Sequence, residues 1–72
     1  EITPQNAASI HATALELLHF SPEPRVIEKV LDSALELGLN EVALAHMQRY
    51  QAAFPKEYMR WRSGVSRAVP TP

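Results

Sequence analysis

Two stretches of helical apolar periodicity are separated only by Leu37-Gly38-Leu39-Asn40, and this short break limits the folds open to the chain. Glycine takes the left-handed conformation that ends a helix at little cost, and asparagine is a favoured helix N-cap. Helices joined so closely pack as an antiparallel hairpin. The stretch Gly38–Trp61 therefore indicates a tight turn, an amphipathic helix, a proline stop and an aromatic, basic ending.

Proline and serine mark the other helix boundaries. Thr3 is the predicted cap of the first helix, with Pro4 at its first position, and Ser21 is the predicted cap of the second. Pro55 opens a last helical turn that Gly64 stops. The sequence thus predicts an all-α fold, a small antiparallel helical hairpin stack of three helices and a short terminal turn. The predicted helices span residues 4–19, 22–37 and 41–53 of a domain over residues 1–62, with residues 63–72 as a disordered tail.

Each predicted helix carries an apolar stripe at the spacing of one helix face. The second helix has the clearest stripe, and the third includes a tyrosine whose hydroxyl requires water or a partner. We expect these stripes to form the core. They are Ala7, Ile10, Ala14, Leu17 and Leu18 in the first helix; Ile27, Val30, Leu31, Ala34 and Leu35 in the second; and Val42, Ala43, Met47, Tyr50 and Phe54 in the third.

The composition excludes several classes of protein. The 72 residues suffice for one small domain, and they include no cysteine, so disulfide scaffolds and thiolate metal sites are excluded. No apolar run approaches the roughly 18 residues of a membrane span, and no signal peptide is visible. Because the chain starts at Glu1 rather than at a methionine, we expect it to be a piece of a longer protein.

Charge is unevenly placed along the chain. Residues 1–47 carry seven acids against two bases, a net −5, whereas residues 48–72 carry five bases against one acid, a net +4. A solvated helical surface explains much of this pattern, but a basic end also suits an anionic partner. Cations alternate with aromatic side chains there, and we predict that this segment binds a partner. The predicted partner-binding residues are Lys56, Tyr58, Arg60, Trp61 and Arg62, although Trp61 is expected to cover the end of the core.

No residue set predicts catalysis, a metal site or a cofactor. The histidines at positions 11, 19 and 46 lack the spacing of a metal motif. Glu28, Asp32 and Glu36 share one helix face, but acid–base catalysis requires an enclosing pocket, so a solvated face is the expected interpretation. Helix-turn-helix binding of nucleic acid is the weakest interpretation, because the domain is not basic as a whole.

The spacing of the breaks resembles that of tetratricopeptide repeats. Pro22 and Pro55 lie 33 residues apart, close to the repeat's period of about 34 residues. Residues 24–57 align with one repeat without a gap, with Gly38 in the turn and Ala43 at the small position of the second helix. Leu31 and Tyr50 depart from the pattern, because the repeat has smaller residues there. The resemblance implies a protein-interaction module whose groove takes a peptide.

A second resemblance rests on the helical hairpin, the phrase Gln51-Ala52-Ala53-Phe54-Pro55, and the Tyr58 and Trp61 that follow. Residues 8–62 resemble the C-terminal soluble region of bacterial membrane O-oligosaccharyltransferases, relatives of the O-antigen ligases and polymerases. This resemblance implies a non-catalytic periplasmic domain that supports a glycan polymerase or oligosaccharyltransferase core, or recruits an acceptor protein. It carries over no catalytic residue, so any transferase activity belongs to the parent protein. An anionic membrane surface is a further expected partner, and a cytoplasmic interaction module is the alternative.

Overall fold

The computed structural model describes residues 1–65 and 69–70, and the helices within these residues follow one another with short connections. The fold is all-helical, as predicted, and these residues contain no strand. A fourth helix of ten residues replaces the short terminal turn that the sequence predicted. The helices are α1 (Ala7–Phe20), α2 (Pro24–Glu36), α3 (Asn40–Ala53) and α4 (Pro55–Gly64).

The predicted N-terminal caps were placed wrongly. α1 begins at Ala7 rather than Pro4, and residues 4–6 form a turn before it. In this turn the Thr3 carbonyl accepts hydrogen bonds from the N–H groups of Asn6 at 3.2 Å and Ala7 at 2.9 Å, and Asn6 Oδ1 accepts one from the Thr3 N–H at 2.7 Å. α2 begins at Pro24, two residues after the predicted start at Pro22.

The break between α2 and α3 has the predicted glycine geometry. Gly38 has a φ of 73°, in the left-handed region. The N–H of Leu39 donates to the Ala34 carbonyl at 2.9 Å, and the N–H of Gly38 donates to the Leu35 carbonyl at 3.2 Å. This pair of bonds is the Schellman motif, which satisfies carbonyls at the end of a helix. Asn40, the predicted cap of α3, is instead its first helical residue, with no side-chain capping bond at this end of the helix.

Replacing Gly38 with alanine is expected to lower the free energy of unfolding by about 1 kcal/mol, because a Cβ is disfavoured in the left-handed region. Neighbouring atoms add no clash, since none of them lies within 4 Å of the position that the added Cβ would take. Gly64→Ala is the matched control, because Gly64 has equal space and no positive φ. That control should leave stability unchanged or raise it by about 0.5 kcal/mol. Urea unfolding followed by circular dichroism measures both, and equal effects would contradict the proposed backbone origin.

Helix α2 lies at the centre of the fold and contacts every other helix. It packs against α1 and α3, and its Asp32 accepts a hydrogen bond from Trp61 of α4. The whole predicted stripe of α2 is buried. The other stripes are confirmed in part, because Leu17 and Val42 are exposed. The main core cluster comprises Ile27, Leu31, Ala34, Leu35, Ala43, Met47, Tyr50 and Trp61.

The first two residues of the predicted tail are helical. Ser63 and Gly64 are the last residues of α4, and Val65 and Val69 pack against the core cluster. Residues 66–68 and 71–72, which complete the predicted tail, lie outside the described residues.

Candidate functional site

The exposed face of α4 carries three of the five predicted partner-binding residues. Lys56, Arg60 and Arg62 are all exposed. At 100° per residue they fall on one half of the helix circumference, and Met59 lies between them on the same half. Met59 is 67% exposed, although a methionine within the apolar pattern of a helix usually belongs to the core. We call these four residues the α4 basic face.

The aromatic residues of α4 lie on its other side. Trp61 is 8% exposed, and its indole Nε1–H donates to Asp32 Oδ1 at 2.9 Å. Tyr58 is half-buried, with its ring centroid 6.0 Å from Tyr50 and 6.1 Å from Trp61. The ring of Trp61 thus packs in the core, as expected for a residue that covers its end. Contact of Tyr58, Trp61 and the three cations with a partner stays a prediction.

Glu28 and Asp32 of α2 accept hydrogen bonds from other helices, although the sequence predicted a solvated face. Glu28 is half-buried and accepts a hydrogen bond of 2.5 Å from the hydroxyl of Tyr50. Asp32 is likewise half-buried and accepts from Trp61. Burial, followed by the hydrogen bond to Glu28, raises the pKa of Tyr50, so its phenol stays protonated. These carboxylates therefore orient the aromatic core of α3 and α4.

Ser33 and His11 form a polar contact between α1 and α2 that the sequence analysis missed. Ser33 is buried, and its hydroxyl donates to the backbone carbonyls of Lys29 at 2.7 Å and Val30 at 3.1 Å. His11 Nδ1 lies 2.9 Å from the same oxygen. When the single hydroxyl proton points to one of the carbonyls, the Ser33 oxygen accepts a hydrogen bond from the His11 tautomer that is protonated at Nδ1. The contact thus satisfies a buried polar group.

The third helix contributes a histidine with an altered pKa. Burial, the nearby charge of Arg49 and that of His11 lower the pKa of His46 below its ordinary value of 6.5. The imidazole is therefore mainly neutral at pH 7.

Among the described residues, no group of three or more metal-ligating side chains is close enough to hold an ion. Within the same residues, no helix is long and apolar enough to cross a membrane.

An apolar groove of about 270 Å³ opens where α1, α2 and α3 meet. Its walls include Leu18, Ile27, Tyr50 and Phe54. Sequence reasoning did not find this groove, because each of its walls was assigned to a core stripe or a connection. The local signal was the aromatic-proline pattern of Phe20-Ser21-Pro22 and Phe54-Pro55, which contributes Pro22 and Phe54 to the lining. A smaller recess of about 150 Å³ lies between α3 and α4, lined by residues that include Gln48, Gln51, Tyr58 and Arg62.

Comparison with known proteins gives one family. The family model described as "Virulence factor membrane-bound polymerase, C-terminal" matches residues 1–68. No curated protein and no solved structure matches the chain. The matched range covers all four helices, so the family assignment concerns the same fold that carries the α4 basic face and the groove.

Proposed function

We propose that this chain, which belongs to the family of C-terminal regions of virulence factor membrane-bound polymerases, is a non-catalytic accessory domain of such an enzyme. The domain lies on the periplasmic side of the bacterial inner membrane. There it supports the membrane-embedded core of a glycan polymerase or protein O-oligosaccharyltransferase, or recruits the acceptor protein. The α4 basic face is the surface that contacts the rest of the assembly.

The observation that carries this proposal is the composition of the α4 basic face within a membrane-bound family. Lys56, Arg60 and Arg62 present three cations on one half of an exposed helix, and Met59 adds an exposed apolar side chain between them. Such a face suits an anionic lipid surface, since cations attract anionic headgroups and an apolar side chain enters the interface. It suits an acidic region of the membrane-embedded core for the same electrostatic reason.

A non-catalytic role is supported by what the titratable side chains do. Glu28 and Asp32, the carboxylates most suggestive of acid–base chemistry in the sequence, bond to Tyr50 and Trp61 and orient the core. His11 Nδ1 lies within hydrogen-bond distance of the buried Ser33 hydroxyl, at 2.9 Å. These groups therefore have structural partners that explain their positions, and the transfer chemistry is assigned to the parent protein.

A second candidate function is a tetratricopeptide-like interaction module. The α2–α3 hairpin favours it, because Gly38 makes the tight turn and Ala43 is fully buried at the small position of the second helix. The buried Leu31 and Tyr50 stand where the repeat has smaller residues, so they separate the helices more than in a standard repeat. A module of this kind binds a peptide, whereas the accessory domain binds a membrane surface or the polymerase core.

The triple variant Lys56→Gln, Arg60→Gln, Arg62→Gln is expected to lose most binding to anionic liposomes. Each cation near an anionic surface contributes about 1 kcal/mol, so removing three should weaken binding by roughly two orders of magnitude. Binding by the unmodified chain should also fall at high salt, because exposed charges are screened. Co-sedimentation with neutral and anionic liposomes at low and high salt is the measurement.

A matched control removes three cations from other helices, with Arg25→Gln, Lys29→Gln and Arg49→Gln. Its net charge changes by the same amount, so it separates a specific face from overall charge. Equal losses in both variants would contradict the α4 basic face as the contact. If neither the unmodified chain nor the variants bind liposomes, the lipid contact is rejected, and cross-linking in the membrane-bound parent tests a contact with its core or acceptor.

A further inference from the structure

The groove between α1, α2 and α3 has apolar walls built from three separate helices and a connection. Leu18 comes from α1, Ile27 from α2, Tyr50 from α3, and Phe54 from the connection to α4. Its volume of about 270 Å³ is just below the roughly 300–1,000 Å³ typical of sites that enclose a drug-sized ligand. The groove therefore has room for one large side chain of a docked segment rather than for a whole small molecule.

The groove lining carries one cation. Arg49 lies there beside the mainly neutral imidazole of His46, alongside the apolar walls. The charged groups that act on His46 are Arg49 and His11, and both disfavour a proton on its ring. A carboxylate beside these groups would bond to the guanidinium, which presents several donors to such an anion. The same carboxylate would favour the protonated form of His46.

We propose that this groove docks a partner peptide segment in which an aromatic side chain lies beside a carboxylate. The aromatic ring occupies the apolar walls, and the carboxylate pairs with Arg49. This surface shares no residue with the α4 basic face, so the inference goes beyond the membrane and core contact proposed for α4. It describes a second contact, to a protein, that holds whether or not α4 binds a membrane.

The test uses the 72-residue chain and a blocked pentapeptide with phenylalanine between two aspartates, followed by two-dimensional NMR. The peptide should shift the backbone amides of Arg49, Ala53 and Phe54 and raise the pKa of His46. Replacing the phenylalanine by alanine should weaken binding about tenfold or more, since burying such a ring is worth roughly 1.5–3 kcal/mol. Replacing the aspartates by asparagine should weaken it about threefold to tenfold.

Matched variants of the chain locate the contact without disturbing the fold. Ala52 and Ala53 are adjacent and both exposed on α3, but only Ala53 lines the groove. Ala53→Leu should therefore fill the groove and block the peptide, whereas Ala52→Leu should leave binding unchanged. Arg49→Gln should weaken binding about threefold to tenfold, while Arg25→Gln, at an exposed position outside the groove, should not.

The proposal is supported if the NMR signals of the groove amides shift with the aromatic acidic peptide, the alanine peptide binds weakly, and Ala53→Leu abolishes binding whereas Ala52→Leu does not. Three results would overturn it. One is equal binding of the phenylalanine and alanine peptides, or no shift up to the solubility limit. Another is a shift of the same amides with chain concentration alone, together with dimers in sedimentation, which would assign the groove to a second copy. The third is a shift caused by anionic vesicles but not by the peptide, which would assign it to lipid.

Discussion

Leu31→Ala is expected to lower the free energy of unfolding by about 2–5 kcal/mol, because truncating a buried leucine loses its transfer energy and leaves a cavity. Leu31 is 0% exposed and lies in the central helix, within the core cluster shared with α3 and α4. In a domain of this size each kcal/mol lowers the melting temperature by about 4–8 °C. The melting temperature measured by circular dichroism should therefore fall by roughly ten degrees or more, since the smallest expected loss of unfolding free energy is about 2 kcal/mol.

Leu17→Ala is the control for this substitution, because it removes the same atoms at a position that is 47% exposed. Its effect should remain within about 1 kcal/mol, since surface substitutions rarely cost more. A melt in which the two variants behave alike would contradict the assignment of the α2 core face. The comparison also tests the sequence-level stripe of α1, because periodicity alone placed Leu17 inside.

Local sequence signals predicted the elements whose partners lie nearby in the chain. Gly38 ends α2 because only the left-handed conformation makes the Schellman bonds, and glycine reaches it cheaply. Pro55 opens α4 because its missing N–H costs nothing at the first position of a helix. The stripe of α2 was predicted completely because this helix is covered by neighbours on most sides.

Other features could not be predicted, because they depend on contacts between distant residues. The Tyr50 hydroxyl bonds to Glu28 across 22 positions, and the Trp61 indole bonds to Asp32 across 29. No local pattern distinguishes these bonded carboxylates from a solvated acidic face. The start of α1 was predicted three residues too early, because residues 4–6 form a turn rather than part of the helix.

The two candidate surfaces also differ in how much of each could be predicted from the sequence. The exposure of Lys56, Arg60 and Arg62 follows from the preference of charge for water, so the sequence could place them. The exposure of Met59 could not be predicted, because it depends on which side of α4 packs against α2. Trp61 lies on that side, and Met59 does not. The groove arises where three helices and a connection meet, and no single segment encodes it.

Trp61→Ala is expected to destabilise the domain by about 3–5 kcal/mol, the usual cost of truncating a buried aromatic residue. The indole is 8% exposed, packs in the main core cluster, and lies beside the Tyr58 ring at a centroid distance of 6.1 Å. Its loss also removes the hydrogen bond from Nε1 to Asp32 that joins α4 to α2. Domains of this size have roughly 4–11 kcal/mol of stability in all, so urea unfolding should show a large fall in the midpoint.

Met59→Ala is the matched control on the same helix, because Met59 is 67% exposed and its truncation should cost less than about 1 kcal/mol. The conservative change Trp61→Phe separates packing from the hydrogen bond, since it keeps an aromatic ring but removes the donor to Asp32. We expect its cost to fall between those of the alanine variant and the control. If Trp61→Ala unfolds at the same urea concentration as Met59→Ala, α4 does not dock through its indole. The α4 basic face would then lose the fixed orientation on which its proposed membrane contact depends.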